Sequence, residues 1–168
     1  DKVKEVLGRP SFYHAISAEA FNGFAELKDE RALPLAKEWS QYGKPVRARE
    51  AALASLGKLG EGKSDVVEFL CDYVDDPGLR TRLTAINALQ ELKDDKAIPV
   101  LSRRISRELD GRVIRRCRVA IESIRVGKDR GDDVKKLRED MEKLQEENRK
   151  LKDRLDKLET KMPGNGKG

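Results

Sequence analysis

Three stretches of the chain carry the same order of apolar and polar positions: VRAREAALASL (46–56), LRTRLTAINAL (79–89) and IRRCRVAIESI (114–124). Each opens with an aliphatic residue followed by Arg, then Ala-Leu or Ala-Ile six residues on, then Leu or Ile three later. Those offsets return to one face of a helix, so each stretch predicts an amphipathic α-helix. A second match, FNGFAELKDERALP (21–34), returns 65 residues later as INALQELKDDKAIP (86–99). The spacing is 33 residues from 46 to 79 and 35 from 79 to 114, which defines a repeating unit of two helices.

First helices are expected at 32–42, 66–75 and 97–108, and second helices at 46–59, 79–92 and 113–126. Between partners stand GKP, DPG and LDG, the punctuation of tight helix–helix turns. Pro34 and Pro99 fall in an opening helical turn, where the missing N–H costs little, and Asp29, Ser64 and Asp94 are placed to cap. Residues 12–27 match only the second helix of a unit, so the array is expected to begin mid-repeat.

After Gly131 the period shortens to heptads. Val134, Met141, Asn148, Leu155 and Met162 occupy one seam position and Leu137, Leu144, Leu151 and Leu158 the other. This is the signature of a coiled coil, and no second heptad segment exists in the chain to pair with it. The expected partner is another copy. In a parallel dimer the two Asn148 amides meet and hydrogen-bond, whereas an antiparallel pairing sets Asn148 against leucine. Flanking charges agree with the parallel arrangement: Asp133–Arg138, Glu147–Lys152 and Arg154–Glu159 are opposite in sign. The resulting organisation is a repeat domain at 1–127, a hinge or linker at 128–133, a coiled coil at 134–162 and a disordered tail at 163–168. One continuous helix from Val113 onward is the alternative to the hinge.

Composition supports long, charge-covered helices: 40% of the 168 residues are charged and 5% aromatic. No apolar run approaches the roughly 20 residues that cross a membrane, and the charged start DKVKE, without Met, suggests a piece of a longer polypeptide. Cys71 and Cys117 lie far apart within apolar helical patterns, which points to small buried hydrophobes in a reducing, cytoplasmic setting. His14 is the sole histidine and no C-x-x-C occurs, so no metal site and no cofactor are expected. No acid–base–nucleophile set is assembled either, and the fragment is expected not to be an enzyme.

Two groups of arginines stand out. Arg47, Arg80 and Arg115 occupy one equivalent position in three repeats and are candidates for an inter-repeat ladder to loop carboxylates such as Asp76 and Asp110. The other reading is a row that grips acidic ligands. Arg103, Arg104, Arg107, Arg112, Arg115, Arg116 and Arg118 form a candidate basic patch within a segment, 96–131, that holds eleven Lys/Arg against four Asp/Glu. Without interleaved aromatics it suits an acidic protein surface better than nucleic acid. Trp39, Tyr73 and Arg104 also align across repeats, and stacking between neighbours is expected.

The pattern A-[LI]-P-[LV] followed by [VLI]-R-x-x-x-x-A-[LI]-x-[AS]-[LI] resembles HEAT repeats and covers about residues 12–126. The resemblance implies an all-α superhelix of about three and a half repeats and a role in protein binding. RPSFYHAISAEAFNGFAELKDERALPLAKEWSQYGKPVRAREAALASLG (9–57) further resembles the helical C-terminal region of bacterial zinc aminopeptidases of the aminopeptidase N type. That implies a larger metallo-aminopeptidase-like parent whose active site lies elsewhere, since H-E-x-x-H is missing here. The expected function is therefore a non-catalytic interaction and dimerisation module with no membrane contact. The alternative is a stand-alone adaptor whose basic last repeat binds an acidic protein or nucleic acid.

Overall fold

The computed structural model describes residues 5, 7, 9 and 11–159, excepting the side chains of Tyr13, Asp129, Arg130, Asp156, Leu158 and Glu159. The chain divides into two compact units, Asp1–Lys128 and Asp129–Gly168. Among the described residues there is no strand.

In the first unit, α1 (Ala15–Glu26) follows a 3-10 turn at Phe12–His14. Then come α2 (Leu33–Ser40) with α3 (Val46–Leu59), α4 (Ser64–Asp72) with α5 (Leu79–Leu92), and α6 (Ala97–Arg107) with the start of α7 (Gly111–Glu159). Two of the expected second helices, 46–59 and 79–92, have the predicted bounds. The first helices are shorter than their pattern suggests. Gln41 turns to extended backbone (ψ 154°), which ends α2 before Tyr42, and 73–75 tightens into a 3-10 turn. Helix α1 and helix α5 both end in the repeated Leu-Lys-Asp, with Lys28 (φ 51°) and Lys93 (φ 54°) left-handed. There the Asp29 and Asp94 carboxylates accept the N–H of Arg31 and Lys96 at 3.1 and 2.9 Å, and Asp29 caps the 3-10 helix Glu30–Ala32 that leads into α2. Ser64 stands one residue inside its helix and donates to Glu68 instead.

The core is the shared inner face of these helices. Leu53, Leu56, Leu70, Ile86, Leu89, Leu101 and Ile124 are all fully buried, and each stabilises the unit by roughly 1.5–3 kcal/mol. Helices α3 and α5 approach closely at Gly57, where an added Cβ would lie 2.7 Å from the Ala88 Cα. Phe21 of α1 fills the upstream end of the core, 6.1 Å from the Trp39 ring.

Residues 128–133 have helical backbone, within the run Gly111–Glu159. In the second unit Val134, Leu137, Met141, Leu144, Leu151 and Leu155 are 51–63% exposed, and Asn148 is exposed between them. The expected seam position Met162 and the tail at 163–168 lie outside the described residues, as does the side chain of Leu158.

Candidate interaction surface

Two ladders tie successive repeats together, one at each end of the helices. At the turns within repeats, Arg49 of α3 donates to the Ser40 carbonyl (2.9 Å), the last residue of α2, and to the Asp76 carboxylate (2.8 Å) of the next repeat. Asp76 in turn accepts the Gly78 N–H at 2.7 Å. Both partners are almost fully buried, with side chains 6% and 9% exposed. One repeat on, Arg82 donates to the carbonyls of Asp76 and Pro77 and stands 3.5 Å from Glu108. In the third repeat the same position holds Cys117, which is buried and has its thiol pushed up to about 11 by burial. Cys71, half-buried, is raised to about 11 for the same reason.

The opposite ladder runs at the connections between repeats: Lys63–Glu30 (3.0 Å), Lys96 with Ser64 and Glu68, and Lys128–Asp95 (2.7 Å). These pairs are largely exposed, so each contributes only about 0–1 kcal/mol.

The ladder expected at Arg47, Arg80 and Arg115 is therefore displaced by two residues. All three are exposed and make no hydrogen bond or ion pair among the described residues. The reason is helical geometry: the buried face of α3 contains Ala48, Arg49, Ala52, Leu53 and Leu56. Arg47 lies five residues, about 140°, away from Ala52. A signal for the true ladder stands in the sequence, since Arg recurs at 49 and 82 as well as at 47 and 80. In each of these two pairs the second arginine is the inward one.

Of the expected basic patch, Arg104 and Arg112 are spent on internal pairs. Arg104 bridges Glu108 and Asp75, and Arg112 chelates Asp110. Arg103, Arg107, Arg115, Arg116 and Arg118 are exposed. The Arg112 guanidinium holds the Asp110 carboxyl down at about 2, and the Asp110 N–H followed by Arg104 lowers that of Glu108. The expected stack of Trp39, Tyr73 and Arg104 does not form. Trp39 packs on Phe21, Tyr73 lies 5.1 Å from Phe69, and Arg104 is drawn to its two carboxylates.

Every carboxylate in the turns at 73–78 and 108–111 is thus neutralised inside the fold: Asp75, Asp76, Glu108 and Asp110. Arg47, Arg80 and Arg115, in the first turns of the second helices, are left exposed. Beside them lie exposed apolar groups: Tyr42 (86%), Val46 (58%) and Leu109 (98%). Tyr42, Val46, Pro77, Leu79 and Arg80 line one groove over the buried Arg49–Asp76 pair. Among the described residues no group of His, Cys, Asp and Glu is arranged to hold a metal ion, and no helix is long and apolar enough to cross a membrane.

Comparison with known proteins bears on the repeats alone. No curated protein matches the chain. A chain in the structure of the complex of CpcE and CpcF of phycocyanin lyase from Nostoc sp. PCC7120 is similar, with a TM-score of 0.62 and 21% identity, over 71% of this chain and 78% of that chain. At that identity the likeness is one of fold. Neither this match nor the family match concerns a metallopeptidase, and the family match ends ahead of the heptad segment. Residues 43–122 match the family model for HEAT repeats, and the fold is an all-α, HEAT-like helical repeat.

Proposed function

We propose that this chain is a non-catalytic protein-interaction scaffold: the repeats present a docking surface, and the heptad helix joins two copies in parallel. The observation that carries the reading is the apolar stripe Val134, Leu137, Met141, Leu144, Leu151 and Leu155, interrupted by Asn148, with each of the six apolar residues more than half exposed. A stripe of that length on a single helix has no means of leaving water by itself. Asn148, exposed within the stripe, supplies the polar position that favours a like-oriented partner in register. HEAT-like repeats support the docking role, and the similar solved chain belongs to a two-subunit complex. The scaffold needs no aminopeptidase-like parent, and the matches lend that part of the expectation no support.

Light scattering on the chain is expected to report a dimer that dissociates on dilution through the micromolar range. Leu144→Lys with Leu151→Lys is expected to give a monomer whose Trp39 emission and repeat-unit stability are unchanged. A dimer that survives this double substitution refutes the seam.

A further inference from the structure

We infer that the edge formed by the turns within repeats is the docking site of an acidic protein segment, read by Arg47, Arg80 and Arg115 together with the apolar residues beside them. The inference rests on the scaffold reading of the repeats and names the class of partner. It starts from a repeated pair of features. Each turn edge carries an exposed arginine in the first turns of its second helix with an apolar residue just before it: Val46 before Arg47, Leu79 before Arg80 and Ile114 before Arg115. The arginines recur at intervals of 33 and 35 residues, from 47 to 80 to 115, so one falls in each repeat of a packed array.

Charge complementarity sets the sign of the partner. The turn carboxylates at 75, 76, 108 and 110 are all paired to Arg49, Arg82, Arg104 or Arg112. They do not screen the row, and its three guanidinium groups retain five N–H donors each for an external carboxylate. An exposed cation row of this kind raises the encounter rate with an acidic surface and fixes its register. The apolar half of the pattern separates a protein from a nucleic acid. Tyr42, Val46 and Leu79 lie in the groove beside Arg80 and give a peptide apolar surface on which to bury Leu or aromatic side chains, which a phosphate backbone does not use. Glu50 also lines this groove, with its Oε1 buried and without a hydrogen-bond partner among the described residues.

The test uses the full chain and a fluorescein-labelled peptide with Glu interspersed by Leu and Tyr, followed by fluorescence anisotropy. A charge-matched single-stranded DNA and a scrambled-polarity peptide in which Ser replaces Leu and Tyr serve as competing probes. Triple charge reversal at Arg47→Glu, Arg80→Glu and Arg115→Glu is expected to weaken the peptide at least about tenfold. The equal charge change Arg103→Glu, Arg107→Glu and Arg118→Glu is expected to leave it within about twofold. All six positions are exposed, and circular dichroism checks that both variants fold. Equal weakening by the two triples, tighter binding of the DNA, no preference for the apolar peptide, or no binding at all overturns the inference. Light scattering on the same samples keeps the two readings apart: a lost peptide signal in an intact dimer refutes the docking edge alone, whereas a monomeric parent chain refutes the seam.

Discussion

Replacing Arg49 by Ala removes the hydrogen bond to the Ser40 carbonyl and the 2.8 Å ion pair with Asp76 in one step. The Arg49 guanidinium also lies 5.6 Å from the Tyr42 ring centroid, and the substitution takes that cation from the ring as well. What remains is an Asp76 side chain only 9% exposed and without its cation. Breaking a buried ion pair by deleting one partner costs about 3–5 kcal/mol, because the survivor's charge is stranded away from water. For a chain of 168 residues this corresponds to a fall in melting temperature of about 6–20 °C. Arg47→Ala is the matched control: the same side chain, the same helix, two residues upstream and exposed, with an expected change below about 0.5 kcal/mol. The sole tryptophan, Trp39, packs against Phe21 in the first unit, so its emission during urea denaturation reports that unit without the heptad helix. Asp76→Asn keeps an acceptor for the Gly78 N–H while removing the charge, and its cost combined with Arg49→Ala is expected to fall short of the sum. Losses for Arg49→Ala and Arg47→Ala that agree within about 0.5 kcal/mol refute the buried ladder.

Gly57→Ala is expected to destabilise the repeats by about 1–3 kcal/mol despite alanine's better helix propensity, since the new methyl group meets the Ala88 Cα at 2.7 Å; an unchanged urea midpoint contradicts that packing. Asp110 gives a pH dependence of definite sign. Its carboxyl is held at about 2 against an ordinary 3.8, so its contribution is present above the ordinary value and disappears as pH falls toward about 2. In Arg112→Ala, carboxyl NMR is expected to show Asp110 titrating back near its ordinary value, and a titration that stays near 2 assigns the shift to another group.

The linear order of residues determined the helices of the repeat unit and their pairing. Periodicity at 46–56 and 79–89 placed α3 and α5 to the residue because an amphipathic helix writes its own wheel into the sequence, and Pro, Gly and Asp mark its ends. Heptad positions were equally legible as a pattern, since leucine recurs at 137, 144 and 151. The tertiary structure decided which of two neighbouring arginines turns inward. Arg47 and Arg49 look alike in the chain, but only Arg49 shares a face with Ala52 and Leu53, and only packing of the next repeat brings Asp76 within 2.8 Å of it. Tertiary structure also decided that Arg104 leaves the basic patch for Glu108 and Asp75, and that Trp39 turns to Phe21 instead of a stacked column. The physical reason is common to these cases. A helix's own face is fixed by local spacing, whereas Asp76 for Arg49, Asp75 for Arg104 and Phe21 for Trp39 are distant in the chain and are brought within reach only by the fold.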